Sequence, residues 1–199
     1  MQRIQRTLKE LPKTLDETYE RTLQEIDEEM WEIVHRIFQC LTASFRPLHV
    51  EELAELFAIE VDPETNRITE FNAHWRPQNA EAAVLSACRS LIAVVNEYED
   101  KVVHFSHFTV KEFLTSSRLE RSRHLSQYYI LPRPAHTFFA EACLCILLQL
   151  DSRIHKNSLK RMFPLATYAA EHWVSHAQRG DISSFIKDGM ESLFDGDRP

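Results

Sequence analysis

Glycine is nearly absent from this sequence. The chain of 199 residues holds three, Gly180, Gly189 and Gly196, all near its C-terminal end. A loop that cradles phosphate needs two or more glycines in a short span so that backbone N–H groups can approach the anion, and a dinucleotide fingerprint needs the same. A nucleophile elbow of the G-x-S-x-G kind needs one on each side of its serine. None of these can be assembled here, so the chain is expected not to be an enzyme. Basic charge is also scarce: 23 Lys and Arg stand against 30 Asp and Glu, a formal net charge of −7. A nucleic-acid footprint needs clustered cations to displace counterions, and no such cluster is present.

Long apolar runs are missing too. The longest, "ACLCILL", is too short to cross a bilayer, and the opening "MQRIQRTLKE" lacks the apolar stretch of a secretory signal. These features predict a soluble, cytoplasmic polypeptide. Four cysteines, Cys40, Cys88, Cys143 and Cys145, fall inside apolar periodic stretches without the paired spacing of a zinc site. They are expected to be buried, reduced thiols, and no metal is expected.

What is present is mostly helical periodicity. Residues 13–29 follow Pro12, carry a Thr14/Glu17 capping box, and place Leu15, Tyr19, Leu23 and Ile26 on one face. A second helix is predicted from Met30 to Ala43, then a short extended entry at 46–48 and a compact helix over 50–58 with Leu53, Leu56 and Phe57 inward. The stretch 59–78, with two prolines and no sustained period, predicts a loop. Asn79 caps a third helix, "AEAAVLSACRSL". Two β-rich runs, "SLIAVVNEY" and "KVVHFSH", flank a polar turn at Glu99 and Asp100 and predict a hairpin. Thr109 and Glu112 offer another capping box for a helix running to about Ser117. Helix, short strand, helix, helix, hairpin, helix is the order of a winged-helix domain, assigned to 30–118.

The remainder predicts a connector over 119–132 and a helical spacer over 133–199. Pro134 is placed in the first turn of a helix so apolar on all sides, from 135 to 150, that it must be buried between others. A helix over 165–177 ends before Gly180, and Asp181 caps a last one. The end, "FDGDRP", reads as a cut edge. The fold class expected is therefore mainly α with a small β-hairpin, a winged-helix domain followed by a helical spacer.

Three features could carry chemistry. The predicted third helix of the winged helix, the usual DNA-reading element, offers one Arg among small and apolar residues, which suits protein packing better than base contacts. His172 and His176 in "HWVSH" share a helical face, but no third ligand stands near them; they read as solvent-side histidines flanking a buried Trp173. His104 and His107 point to opposite faces of an extended strand. His107 sits at the strand-to-helix junction, where a helix start favours an anion and an imidazole can add a donor. A histidine satisfied within the core is the other reading of that position.

The stretch "FSHFTVKEFLTSSRL" resembles the winged-helix segment of NACHT-type signalling ATPases, whose pattern is F-x-H-x-[ST]-x-[QK]-E-[FY]. Phe105, His107, Thr109, Lys111, Glu112 and Phe113 match it in register. "LPKTLDETYERTLQEI", "RPLHVEELAELFAI", "WRPQNAEAAVLSACRSLIAVV" and "FPLATYAAEHWVSHA" resemble the fungal NACHT–ankyrin branch. The same segment is also similar to one found in GPI inositol-deacylase-like proteins. The first resemblance implies an internal fragment: 1–29 ending the helical region after an ATPase core, the winged helix at 30–118, and 133–199 leading to ankyrin repeats. It implies that His107 contacts the β-phosphate of ADP bound by an upstream domain, with Phe105, Thr109, Glu112 and Phe113 as supporting motif residues. The chain itself would then hold no cofactor. ADP or ATP would belong to the parent protein, and the partners would be the upstream nucleotide-binding domain, the downstream repeats and further copies on activation. Two alternatives remain, a structural protein–protein adaptor without nucleotide coupling and a DNA-binding winged helix.

Overall fold

The computed structural model describes residues 14–62, 67–97, 100–150 and 156–195. Pro12, Glu99 and the 196–199 end, on which some expectations rest, lie outside them. Helix α1 spans Leu15–Gln24, with Thr14 as N-cap accepting from the Glu17 N–H at 3.2 Å. It is shorter than predicted, because Asp27 caps a separate 3-10 turn, Glu28–Met30, that leads into α2, Trp31–Ala43. Strand β1 is Leu48–His49, and α3 is Val50–Ala54, extended by a 3-10 turn to Ala58.

The predicted loop at 59–78 is corrected by the structure. Strands β2, Ile59–Asp62, and β3, Arg67–Phe71, pair antiparallel with Ile59 opposite Phe71 and a bulge between Glu60 and Val61. The pair forms because Ile59, Val61 and Ile68 are buried while Glu60 faces water, an alternation too short to stand out beside the neighbouring prolines. Helix α4, Ala80–Cys88, is capped by Asn79 as predicted. Strands β4, Ile92–Glu97, and β5, Asp100–Phe105, form the hairpin, and β1 adds to it to give the sheet order β1-β5-β4. Asp100 therefore belongs to a strand and not to the turn.

Helix α5, Phe108–Leu114, follows at once, and a short α6, Ser117–Glu120, begins the connector. The connector is packed: Leu119, Leu125, Tyr128 and Ile130 are buried, and the Ile130 N–H donates to the Leu114 carbonyl at 3.0 Å. Helix α7, Pro132–Leu147, starts earlier than Pro134 predicts, because Pro132 itself takes the first-turn position where a missing N–H costs nothing. Its residues Phe139, Ala140, Ala142, Cys143, Leu144 and Ile146 are fully buried. Helices α2 and α9, Ala166–Arg179, pack against α7, as do α10, Ser184–Phe194, and strand β3. A short helix α8, Lys156–Met162, was not expected. One apolar cluster runs from Tyr19 through both halves to Ile186. The fold is a winged helix with a three-stranded sheet, mainly helical overall, joined through α7 to the following helices.

Two backbone positions are specific. Gly180 ends α9 where a Cβ would lie 2.6 Å from the Thr137 backbone nitrogen, so close approach of α7, not a turn, demands the glycine. Ser183, rather than Asp181, caps α10 and accepts from the Ile186 N–H at 3.2 Å. Asp181 instead pairs with Arg133 at 2.9 Å and donates its N–H to the Thr137 hydroxyl.

Candidate functional site

His107 is exposed and is itself the N-cap of α5. Its Nδ1 accepts from the Thr109 N–H at 3.3 Å and lies 2.7 Å from Thr109 Oγ1. The Thr109/Glu112 capping box expected from the sequence is therefore absent; the cap lies two residues earlier, because an imidazole in extended backbone can reach the N–H that a Thr109 cap would have left free. Helix α5 is only 7 residues long and its first turn is already capped, so the helix end adds little attraction for an anion.

The hydrogen bonds have a direction. The backbone N–H can only donate, so Nδ1 is an acceptor, and the Thr109 hydroxyl donates to it as well. Thr109 Oγ1 in turn accepts from the Tyr19 hydroxyl, 2.7 Å away and 90 residues earlier in the chain. With Nδ1 accepting, the proton of the neutral imidazole resides on Nε2. Among the described residues Nε2 has no hydrogen-bond partner.

The other motif residues build this corner. Phe105 ends β5 and packs on Phe38 with ring centroids 6.0 Å apart. Phe113 is buried and meets Tyr19 at 5.6 Å. Lys111 donates to the Thr42 carbonyl at 2.9 Å, fastening α5 to the end of α2. The Glu112 side chain is exposed. Arg118 pairs with Asp16 at 3.1 Å and Glu20 at 2.9 Å, fastening α1 to α6. Sequence reasoning placed Tyr19 only on a helical stripe; no local pattern says that its hydroxyl meets Thr109.

The remaining candidates fall elsewhere. His104 lies on β5 beside Glu97, 3.5 Å away, and does not join His107. The outer positions of α4 are Ala82 and Ser86, and Glu81 pairs with Lys101 at 2.6 Å, so this helix presents no base-reading cation. The expectation of two solvent-side histidines is half wrong. Trp173 is buried, but His176 is fully buried too, with Nε2 2.9 Å from the Tyr168 hydroxyl and Nδ1 2.8 Å from Nδ1 of His136.

This cluster joins the winged helix to the helices after it. The Phe45 N–H donates to the Tyr168 hydroxyl at 3.1 Å, and the Phe45 ring lies 4.5 Å from that of His176. The Arg179 guanidinium lies 4.5 Å over Phe45, and Arg46 sits 4.8 Å over Tyr168 while pairing with buried Glu52 at 2.6 Å. Burial lowers the His176 pKa to about 3, helped by His136, His172 and Arg179, and burial also lowers that of His136. Sequence spacing could not find this cluster, because its members come from three separate elements. Among the described residues no group of three or more His, Cys, Asp or Glu could hold a metal ion. The four cysteines are free and buried, and burial raises their thiol pKa values, that of Cys145 to about 12. No helix of the described residues is long and apolar enough to cross a membrane.

Comparison with known proteins agrees with the winged-helix fold. A Monascus ruber protein described as azaphilone pigments biosynthesis cluster protein L is 34% identical over 176 residues, which cover 85% of this chain and 36% of that protein. The chain thus spans about a third of the length of that curated relative. No solved structure matches. The family described as GPI inositol-deacylase, winged helix domain, matches residues 19–125, a span from Tyr19 through the sheet and α5 to Leu125. The chain belongs to that family.

Proposed function

We propose that this chain is a non-catalytic regulatory and interaction module of a NACHT-type signalling ATPase of the cytoplasm, in which His107 senses the β-phosphate of ADP held by an upstream domain and couples nucleotide state to ligand-binding repeats downstream. The observation that carries the reading is the donor state of His107. Its Nδ1 is committed to Thr109, so Nε2–H is the one group the exposed imidazole can offer to an anion. The motif Phe105-x-His107-x-Thr109 and the resemblance to fungal NACHT–ankyrin proteins supply the nature of that anion.

A hydrogen bond to a charged acceptor contributes about 1.5–3 kcal/mol. That is roughly a 10- to 150-fold bias on a closed–open equilibrium, enough to set a resting state. The test is the nucleotide released on denaturing the full-length protein that carries this chain, wild type beside His107→Ala. ADP carried by the wild type and lost from the variant supports the latch. Equal ADP in both removes it. The second reading is a structural adaptor, favoured by one observation: the Phe45, Tyr168, His176 and Arg46 contacts join the winged helix to the helices after it without involving His107. Under that reading the nucleotide content is indifferent to His107.

A further inference from the structure

Of the groups near His107, the one least explained by packing is the Tyr19 hydroxyl. The ring needs no hydroxyl to fill its place: Tyr19 is buried on α1 and packs on Phe113. Yet its oxygen lies 2.7 Å from Thr109 Oγ1, which lies 2.7 Å from His107 Nδ1. Three side chains, one from α1 and two from the start of α5, form a single hydrogen-bonded chain, and the backbone N–H of Thr109 fixes its direction at the imidazole end.

We propose that Tyr19 is a positioning residue for His107: through Thr109 it holds the imidazole with Nδ1 inward and Nε2–H outward, so that the docking of α1 sets the donor that His107 presents. This rests on the reading of His107 as the phosphate-sensing residue and adds a second input to it. The Thr109 hydroxyl has one proton. While Tyr19 donates to Thr109 Oγ1, that proton is directed to Nδ1. Without Tyr19 the hydroxyl is free to turn, and it can then accept from an Nδ1–H just as well as donate. The Thr109 N–H still points at Nδ1, but one of the two donors that favour the Nε2–H tautomer is gone; the preference weakens, and Nε2 spends part of its time without a proton.

The arrangement makes α1 an input. Besides Tyr19, α1 is held by the Arg118 pairs to Asp16 and Glu20, both partly exposed, and by Leu23 in the core. A pull on α1 that lifts Tyr19 by about an ångström breaks a hydrogen bond whose strength falls steeply with distance and angle. The imidazole then keeps its cap on the Thr109 N–H but loses the directed hydroxyl, without any change at His107 itself.

The test separates this from the latch. Tyr19→Phe removes one oxygen and keeps the ring. Nitrogen-15 resonances of the His107 imidazole, read in the 199-residue chain at alkaline pH, are expected to show a single Nε2–H tautomer in the wild type. A measurable Nδ1–H population is expected in Tyr19→Phe and a larger one in Thr109→Val, with Thr109→Ser restoring the wild-type pattern. In the full-length protein, Tyr19→Phe is expected to speed ADP release about fivefold, the effect of one neutral hydrogen bond. Unchanged His107 resonances in both Tyr19→Phe and Thr109→Val overturn the positioning role. Shifted resonances with unchanged ADP release keep the positioning role and overturn the phosphate latch instead.

Discussion

At the scale of the residue, His107 serves two purposes with its two nitrogens. Nδ1 caps α5, and only Nε2 is left for anything outside the chain. The two can be separated by substitution. His107→Ala removes the cap and is expected to cost about 1 kcal/mol of stability, whereas His107→Asn, whose side-chain oxygen can accept from the Thr109 N–H, costs a few tenths at most. Both remove the imidazole donor. Chemical denaturation of the two variants should thus diverge while their effect on bound ADP coincides; equal destabilisation would mean that the imidazole packs rather than caps. Arg89 is the opposite case, a residue no pattern foretells. It takes a φ of 55°, the one positive φ among the described non-glycine residues, at the end of α4. A glycine would mark that turn in the sequence, and this chain has none to spare there.

At the scale of the element, what could be read beforehand depended on whether a signal was local. The caps at Thr14 and Asn79, the hairpin of β4 and β5 and the buried face of α7 follow from spacing within a few residues, and they stand. The β2–β3 pair and α8 were missed, because four or five residues of alternation and a seven-residue helix give little period to detect. The tie from Tyr19 to Thr109 and the histidine cluster were missed for a different reason: only the assembled fold brings α1 to α5, and Phe45 to α7 and α9. That cluster makes a pH prediction. His176 is held neutral by burial down to about pH 3, while in the unfolded chain it takes up a proton near the usual histidine value of about 6.5. The unfolded state therefore binds more protons throughout that window, and stability falls as pH drops below about 6.5 and goes on falling toward pH 3. The loss is on the order of a few kcal/mol. Denaturation midpoints measured across this range should decline in the wild type and decline less in His176→Phe. A parallel decline in both would assign the effect to other groups.

For the whole molecule, the deciding element is α7. Its Phe139 and Ile146 are fully buried, and α2 of the winged helix packs against it as do α9 and α10 of the following helices. Neither the winged helix nor the following helices can open without exposing apolar surface of the other. Unfolding is expected to be a single transition. Variants retaining only Trp31, at the start of α2, or only Trp173, in α9, should report the same denaturant midpoint by fluorescence. Two separated midpoints would show that the halves are independent. Truncating Phe139 to Ala is expected to lower both midpoints together by an amount corresponding to about 3–5 kcal/mol.

The four thiols extend this in a practical direction. Cys40, Cys88, Cys143 and Cys145 belong to α2, α4 and α7, and each is shielded from water, with its thiolate suppressed by its surroundings. An alkylating reagent has nothing to attack until those helices come apart. The molecule therefore carries its own stopwatch: the pace at which label accumulates in native buffer times the rare excursions in which the interior meets solvent, and the order in which the four sites are marked records which helix leaves first.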